Sequence, residues 1–186
     1  MPTREDAVAM LEQWVDSEGL RNHMKCVEAA VRFYAREAGA DEELWGLAGL
    51  LHDLDWEKHP DQHPKVAVAA LRERGYPEEV LHAILAHRSD FTGVEPESAL
   101  DRALVACDEI TGLITATALV RPTGIADMKP KSVKKKMKDL TFARGVDRAD
   151  VVRGAELLGV DLDTHIANVI GAMREAASDL GLPTGN

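Results

Sequence analysis

Residues 48–64 read AGLLHDLDWEKHPDQHP: an apolar run stops at His52-Asp53, and His59, Asp61 and His63 follow soon after. An imidazole and a carboxylate side by side at the end of a buried segment are two metal-ligand types delivered together. Sorting other residues by helical period finds more of them facing inward. His23 shares a stripe with Leu20, Met24, Val27, Val31 and Tyr34. His87 aligns with Val80 and Ile84, and Asp108 with Leu100, Leu104 and Thr111. His82 falls on a different face from His87 and reads as exposed.

A buried, unpaired carboxylate costs several kcal/mol, and a neutral imidazole cannot offset it. A divalent cation satisfies both groups at once, compensating the carboxylates and using the imidazole lone pairs. Mixed His/Asp ligation suits Mn, Fe, Co, Ni or Zn better than Ca. Cys26 and Cys107 lack zinc-finger spacing, which argues against a closed cysteine site. One inward histidine is ordinarily a core residue. The case rests on His23, His52, Asp53, His87 and Asp108 taken as a set, drawn from separate elements.

The elements that must position them are helices. The periodicity predicts helices over 3–16, 20–38, 41–53, 64–74, 77–87, 97–120, 131–140, 148–158 and 161–180, with a loop over 88–96. Thr3 to Asp6 reads as a capping box, Gly39 and Gly75 as stops, and Pro77 as a first helical residue. Alternating apolar runs are missing, and aromatics make up only 4%, so strands are not expected. The expected fold class is all-α: a single-domain helical bundle over 1–186, with additional C-terminal helices from about 121 to 186.

With 45% apolar residues the chain has material for a core. No apolar run is long enough to span a bilayer, and the N-terminus has no secretory h-region. The expectation is a cytoplasmic protein with reduced, buried thiols. A net charge of −10 argues against nucleic acid as a partner. That charge is uneven: residues 121–148 carry nine Lys/Arg against three Asp. Lys131, Lys134, Lys135 and Lys138 fall on one face of the predicted helix there, with Val133, Met137 and Leu140 on another. This reads as a solvated amphipathic helix, or as a funnel for an anionic ligand. His165 flanks the Leu162/Ile166/Val169 stripe, and Cys107 reads as core packing.

The order H…HD…H…H…D, here His23, His52-Asp53, His63, His87 and Asp108, resembles the HD-domain superfamily of metal-dependent phosphohydrolases. The flanking text LRNHMKCVEAAVRFYA, LAGLLHDLDWEKHPDQHP and ALVACDEITGLI resembles its HDIG-type subgroup over about residues 20–120. HDLD departs from HDIG in carrying Asp55 where the subgroup has glycine. The resemblance implies an HD-type helical fold and one or two divalent transition-metal ions. His23, His52, Asp53 and Asp108 would hold the first. Asp53 would bridge to a second held by His63 and His87, with His63 favoured over His59 because it directly precedes Pro64 at a helix start.

The resemblance further implies hydrolysis of a phosphate ester of a nucleotide or another small phosphorylated molecule. A metal lowers the pKa of bound water toward neutrality, and added cations would meet phosphoryl charge. Lys58 and Arg88, close in sequence to the ligands, are the candidates. Asp55 and Glu57 are candidates to orient water or hold a ligand histidine. Two other classes compete: a di-iron oxygenase acting on a small polyol or phosphonate with the same ligands, and a non-catalytic sensor. Iron content and oxygen uptake separate the first from a hydrolase. Oligomeric state is not legible in the sequence.

Overall fold

The helix over residues 42–51 shows how the fold is built. Asp41 accepts hydrogen bonds from the Glu43 and Leu44 amides, a cap that starts the helix. Periodicity alone predicts one apolar stripe, yet Trp45, Gly46, Leu47, Ala48, Gly49, Leu50 and Leu51 are all buried. A helix buried all round is a central helix, and this one packs against helices on several sides.

A computed structural model describes residues 1–185. Its helices are α1 (Arg4–Trp14), α2 (Glu18–Ala38), α3 (Glu42–Leu51), α4 (Lys65–Glu73), α5 (Glu78–Ala86), α6 (Ser89–Thr92), α7 (Ala99–Leu119), α8 (Pro130–Met137), α9 (Arg148–Leu158) and α10 (Leu162–Glu175). A 3-10 turn covers Pro60–Gln62, and no strand occurs among the described residues. The all-α expectation holds. No helix among the described residues is long and apolar enough to cross a membrane.

The chain divides into two compact units, Met1–Val105 and a second beginning at Ala106, the division falling inside α7. In the first unit α3 packs against α1, α2 and α5, and α4 packs on α5. The Thr3–Asp6 capping box is present, and α2 ends on Gly39 in the left-handed region, φ 63°. Glycine also sets how closely α2 and α3 approach. A β-carbon on Gly49 would stand 2.8 Å from the Glu28 Cα. Glu28, 3% exposed, accepts from Arg4 Nε at 2.6 Å and Arg32 Nε at 2.9 Å; Arg32 also forks onto Glu43 at 2.7 and 3.1 Å. Burial alone would lower the Arg32 pKa, but the hydrogen bonds to Glu43 and Glu28 outweigh it and raise it.

In the second unit α10 packs against α8 and α9. A β-carbon on Gly154 in α9 would meet the Ala106 Cα at 2.7 Å. Two expectations change here. His165, expected at the flank of a stripe, is fully buried, and its Nε2 lies 2.8 Å from the Ala106 carbonyl oxygen. Burial lowers its pKa, only partly opposed by that hydrogen bond. The basic helix ends at Met137, so Leu140 lies beyond it and is 75% exposed. Lys131, Lys134, Lys135 and Lys138 are exposed as expected, and Val133 is buried. Cys107 is buried; burial first, then the charge of Asp108, push its thiol up, which makes it inert core packing.

Candidate metal centre

Two of the candidate ligands are placed by the same local device. His52 and His87 occupy the C-cap positions of α3 and α5. Each ring turns back on its own helix, where the last carbonyls have no intrahelical partner. His52 Nδ1 lies 2.9 Å from the Gly49 carbonyl oxygen, and His87 Nδ1 2.5 Å from that of Ile84. A carbonyl can only accept, so Nδ1 carries the proton and Nε2 keeps the lone pair.

His63 reaches the same state by another route. Its Nδ1 lies 2.7 Å from Asp55 Oδ1, and Asp55 Oδ2 accepts from the Ala67 amide at 2.7 Å. Asp55 has no exposed surface. His23 comes from α2, the helix packed on α3, and its ring centroid lies 5.3 Å from that of His52.

Asp53 stands between these rings with its two oxygens divided. Oδ2 lies 3.5 Å from His52 Nε2 and 3.9 Å from His23 Nε2. Oδ1 lies 3.3 Å from His63 Nε2 and 3.7 Å from His87 Nε2. Asp53, His63 and His87 bring their ligand atoms within 4.8 Å of one another and could hold a metal ion, and His23 and His52 stand toward the other oxygen of the same carboxylate.

The donor set fits such an ion. The Nε2 atoms of His63 and His87 stand 3.1 Å apart. With both Nδ1 protons committed, two lone pairs face each other. Two nitrogens bound to one ion at about 2.0–2.1 Å, subtending roughly 90–110°, stand about 2.9–3.4 Å apart. A shared proton would relieve this one contact. A divalent ion relieves it and also draws on the Asp53 oxygen beside both rings.

Other residues expected at the site lie as follows. The Lys58 ammonium is 3.5 Å from Asp16 Oδ2. The Arg88 guanidinium forks onto Asp90 at 3.1 and 3.2 Å and lies 5.9 Å from the Trp56 ring centroid. His59 is exposed at the start of the 3-10 turn, whereas His63 is 2% exposed. Glu57 caps the start of α2, accepting from the Asp16 and Ser17 amides at 2.7 and 3.2 Å. His82 is partly exposed and pairs with the buried Asp101 at 3.0 Å. Asp108 is half-buried on α7. Sequence reasoning passed over Trp56, whose ring meets His63 edge-on at 5.1 Å while 43% of its surface stays exposed. Its signal was a tryptophan set among the ligands in a chain poor in aromatics.

Among curated proteins, a ribonuclease Y of Oleidesulfovibrio alaskensis is 32% identical over 99 residues, which is 52% of this chain and 18% of that protein. A ribonuclease Y of Cutibacterium acnes is 36% identical over 92 residues, 46% of this chain and 16% of that protein. The chain therefore spans under a fifth of the length of these relatives. The HD domain family model matches residues 20–155, past residue 120 where the motif resemblance stops. Members of that family generally bind divalent metals and hydrolyse phosphoesters. With a match over more than half of its length, carried on an all-helical fold, the chain belongs to the HD domain family.

Proposed function

We propose that the chain is a metal-dependent phosphohydrolase that cleaves a phosphate ester of a nucleotide or another small phosphorylated molecule. The observation that carries this reading is the divided Asp53 carboxylate, with Oδ2 toward His23 and His52 and Oδ1 toward His63 and His87. One carboxylate facing two imidazole pairs suits two neighbouring divalent ions, the arrangement that clamps both the attacking and leaving oxygens in phosphoryl chemistry. When bound, such ions polarise the phosphoryl group and lower the pKa of coordinated water toward neutrality.

The chain's own residues do the rest. His23, His52 and Asp53, with Asp108 as the motif resemblance implies, would hold one ion, and His63 and His87 with Asp53 would hold the other. The hydrogen bonds at Nδ1 hold the His52, His63 and His87 rings in orientation. Arg88, next to His87, exchanges part of its contact with Asp90 for the phosphoryl oxygens, and Lys58 adds a second positive charge at the exposed rim. The relatives' name speaks of RNA, but this chain spans under a fifth of either one. A net charge of −10 disfavours a long polyanion, so a small anionic substrate is the better match.

The test strips the purified protein of metal and restores Mn²⁺, Fe²⁺, Co²⁺, Ni²⁺, Zn²⁺ or Mg²⁺ in turn. Phosphate release is then followed from nucleotides and sugar phosphates, and chain cleavage from an RNA oligomer. Metal-dependent phosphate release from a small ester, lost in Asp53→Ala, is the expected outcome. Oxygen uptake by the iron-loaded protein without any ester cleaved would instead favour the oxygenase reading.

A further inference from the structure

HDLD places a second carboxylate two residues after the first, and the two lie in different surroundings. Asp53 is half-buried among imidazole Nε2 atoms, whereas Asp55 is wholly buried behind one of those rings. Both oxygens of Asp55 are used, one by His63 Nδ1 and one by the Ala67 amide, each at 2.7 Å. The Ala67 amide belongs to the first turn of α4, whose N-cap residue is Pro64 and has no side-chain cap. A helix start needs acceptors for its first amides and favours negative charge. Asp55 supplies both from a distance in sequence.

We propose that Asp55 is a positioning residue that joins the start of α4 to the orientation and tautomer of His63, and so sets how tightly the Asp53–His63–His87 group holds its ion. The inference rests on the metal-dependent reading of the site. A carboxylate can accept two N–H groups at once; an amide in its place has one accepting oxygen and one donating nitrogen. The substitution Asp55→Asn would therefore leave either the His63 Nδ1 proton or the Ala67 amide facing another donor. Glycine at this position would offer the histidine and the helix nothing. The departure from HDIG is therefore a support behind the ligand, and it does not stand in the path of a substrate.

The test reads the ring directly. Imidazole ¹⁵N spectra of the metal-free chain, with His63 assigned by its replacement, give the tautomer. Protonation of His63 at Nδ1 in the wild type is expected; the Nε2-protonated tautomer there overturns the proposal without need of any variant. In Asp55→Asn that preference should weaken. Titration calorimetry with Zn²⁺ should show affinity at one site falling about ten- to a hundredfold, with far-ultraviolet dichroism unchanged. An unchanged tautomer and unchanged Zn²⁺ affinity in folded Asp55→Asn overturn it equally. These readouts do not involve turnover. If they move as expected while no phosphoester is cleaved, Asp55 keeps its role and the hydrolase reading fails; if esters are cleaved but neither readout moves, the reverse holds.

Discussion

Two clusters of buried charge flank the contact between α2 and α3, and they are resolved in opposite ways. At Glu28 the carboxylate meets Arg4 and Arg32, and Arg32 continues to Glu43. Negative and positive groups alternate, and the protein supplies its own counter-charges. Around Asp53 lie the Nε2 atoms of four histidines, with those of His63 and His87 3.1 Å apart. The first cluster is complete as it stands. The second gathers imidazoles about one carboxylate, a donor set suited to a divalent ion. Burial alone does not distinguish a functional site from a structural ion network; the match of donors to acceptors does.

The sharpest way to break this contrast is Asp53→Ala. It should abolish metal retention, a loss beyond the ~100-fold typical of an outer partner, as measured by metal analysis after gel filtration. Ions retained at wild-type stoichiometry would mean that the carboxylate is not a ligand. Glu28→Ala is the mirror experiment. Arg32 then keeps only its fork onto Glu43, and the lost charged hydrogen bonds should cost about 1.5–3 kcal/mol in urea unfolding, while Zn²⁺ affinity stays within about twofold. Gly49→Ala probes the junction of the two clusters, because its β-carbon would press on the Glu28 backbone at 2.8 Å. Overpacking of this kind costs about 1–3 kcal/mol. Since the Gly49 carbonyl holds His52, metal affinity should fall as well.

A histidine that needs no cation sharpens the comparison further. Burial lowers the His165 pKa below its unfolded value. In acid the unfolded chain therefore takes up this proton more readily than the folded one. The stability tied to a neutral His165 is fully present above about pH 6.5 and is lost as pH falls below it. Chemical denaturation of the metal-free chain between about pH 8 and 5 should show this fall, and His165→Gln should flatten it; equal slopes would remove His165 as the cause. The smallest effect belongs to His82→Ala. It removes one partner of the buried Asp101, whose Oδ2 still accepts from the Glu97 and Ser98 amides, and metal content should not change.

Most helices were legible because capping and periodicity are local. Thr3, Ser17, Asp41, Asp147 and Asp161 all cap the helices that follow them. Less visible were the short ones: α6 and the 3-10 turn fall in segments that read as loops, since four residues or fewer hold too little period. The third helix was expected to carry through Asp53, but it stops at Leu51, and this stop frees His52 to act as a cap. His165 was misread because its stripe also includes Ile170 and Met173, which widen the buried face.

The sequence by itself determined the helical class, the inward direction of His23 and His87, and the pairing of His52 with Asp53 at a helix end, because each follows from neighbours a few residues away. Only the tertiary structure decided which oxygen of Asp53 faces which rings, that Asp55 stands behind His63, and that Glu57 caps α2 instead of serving a ligand. Those relations depend on packing between segments distant in sequence, where an ångström separates a metal ligand from a solvated side chain and no local pattern records the distance.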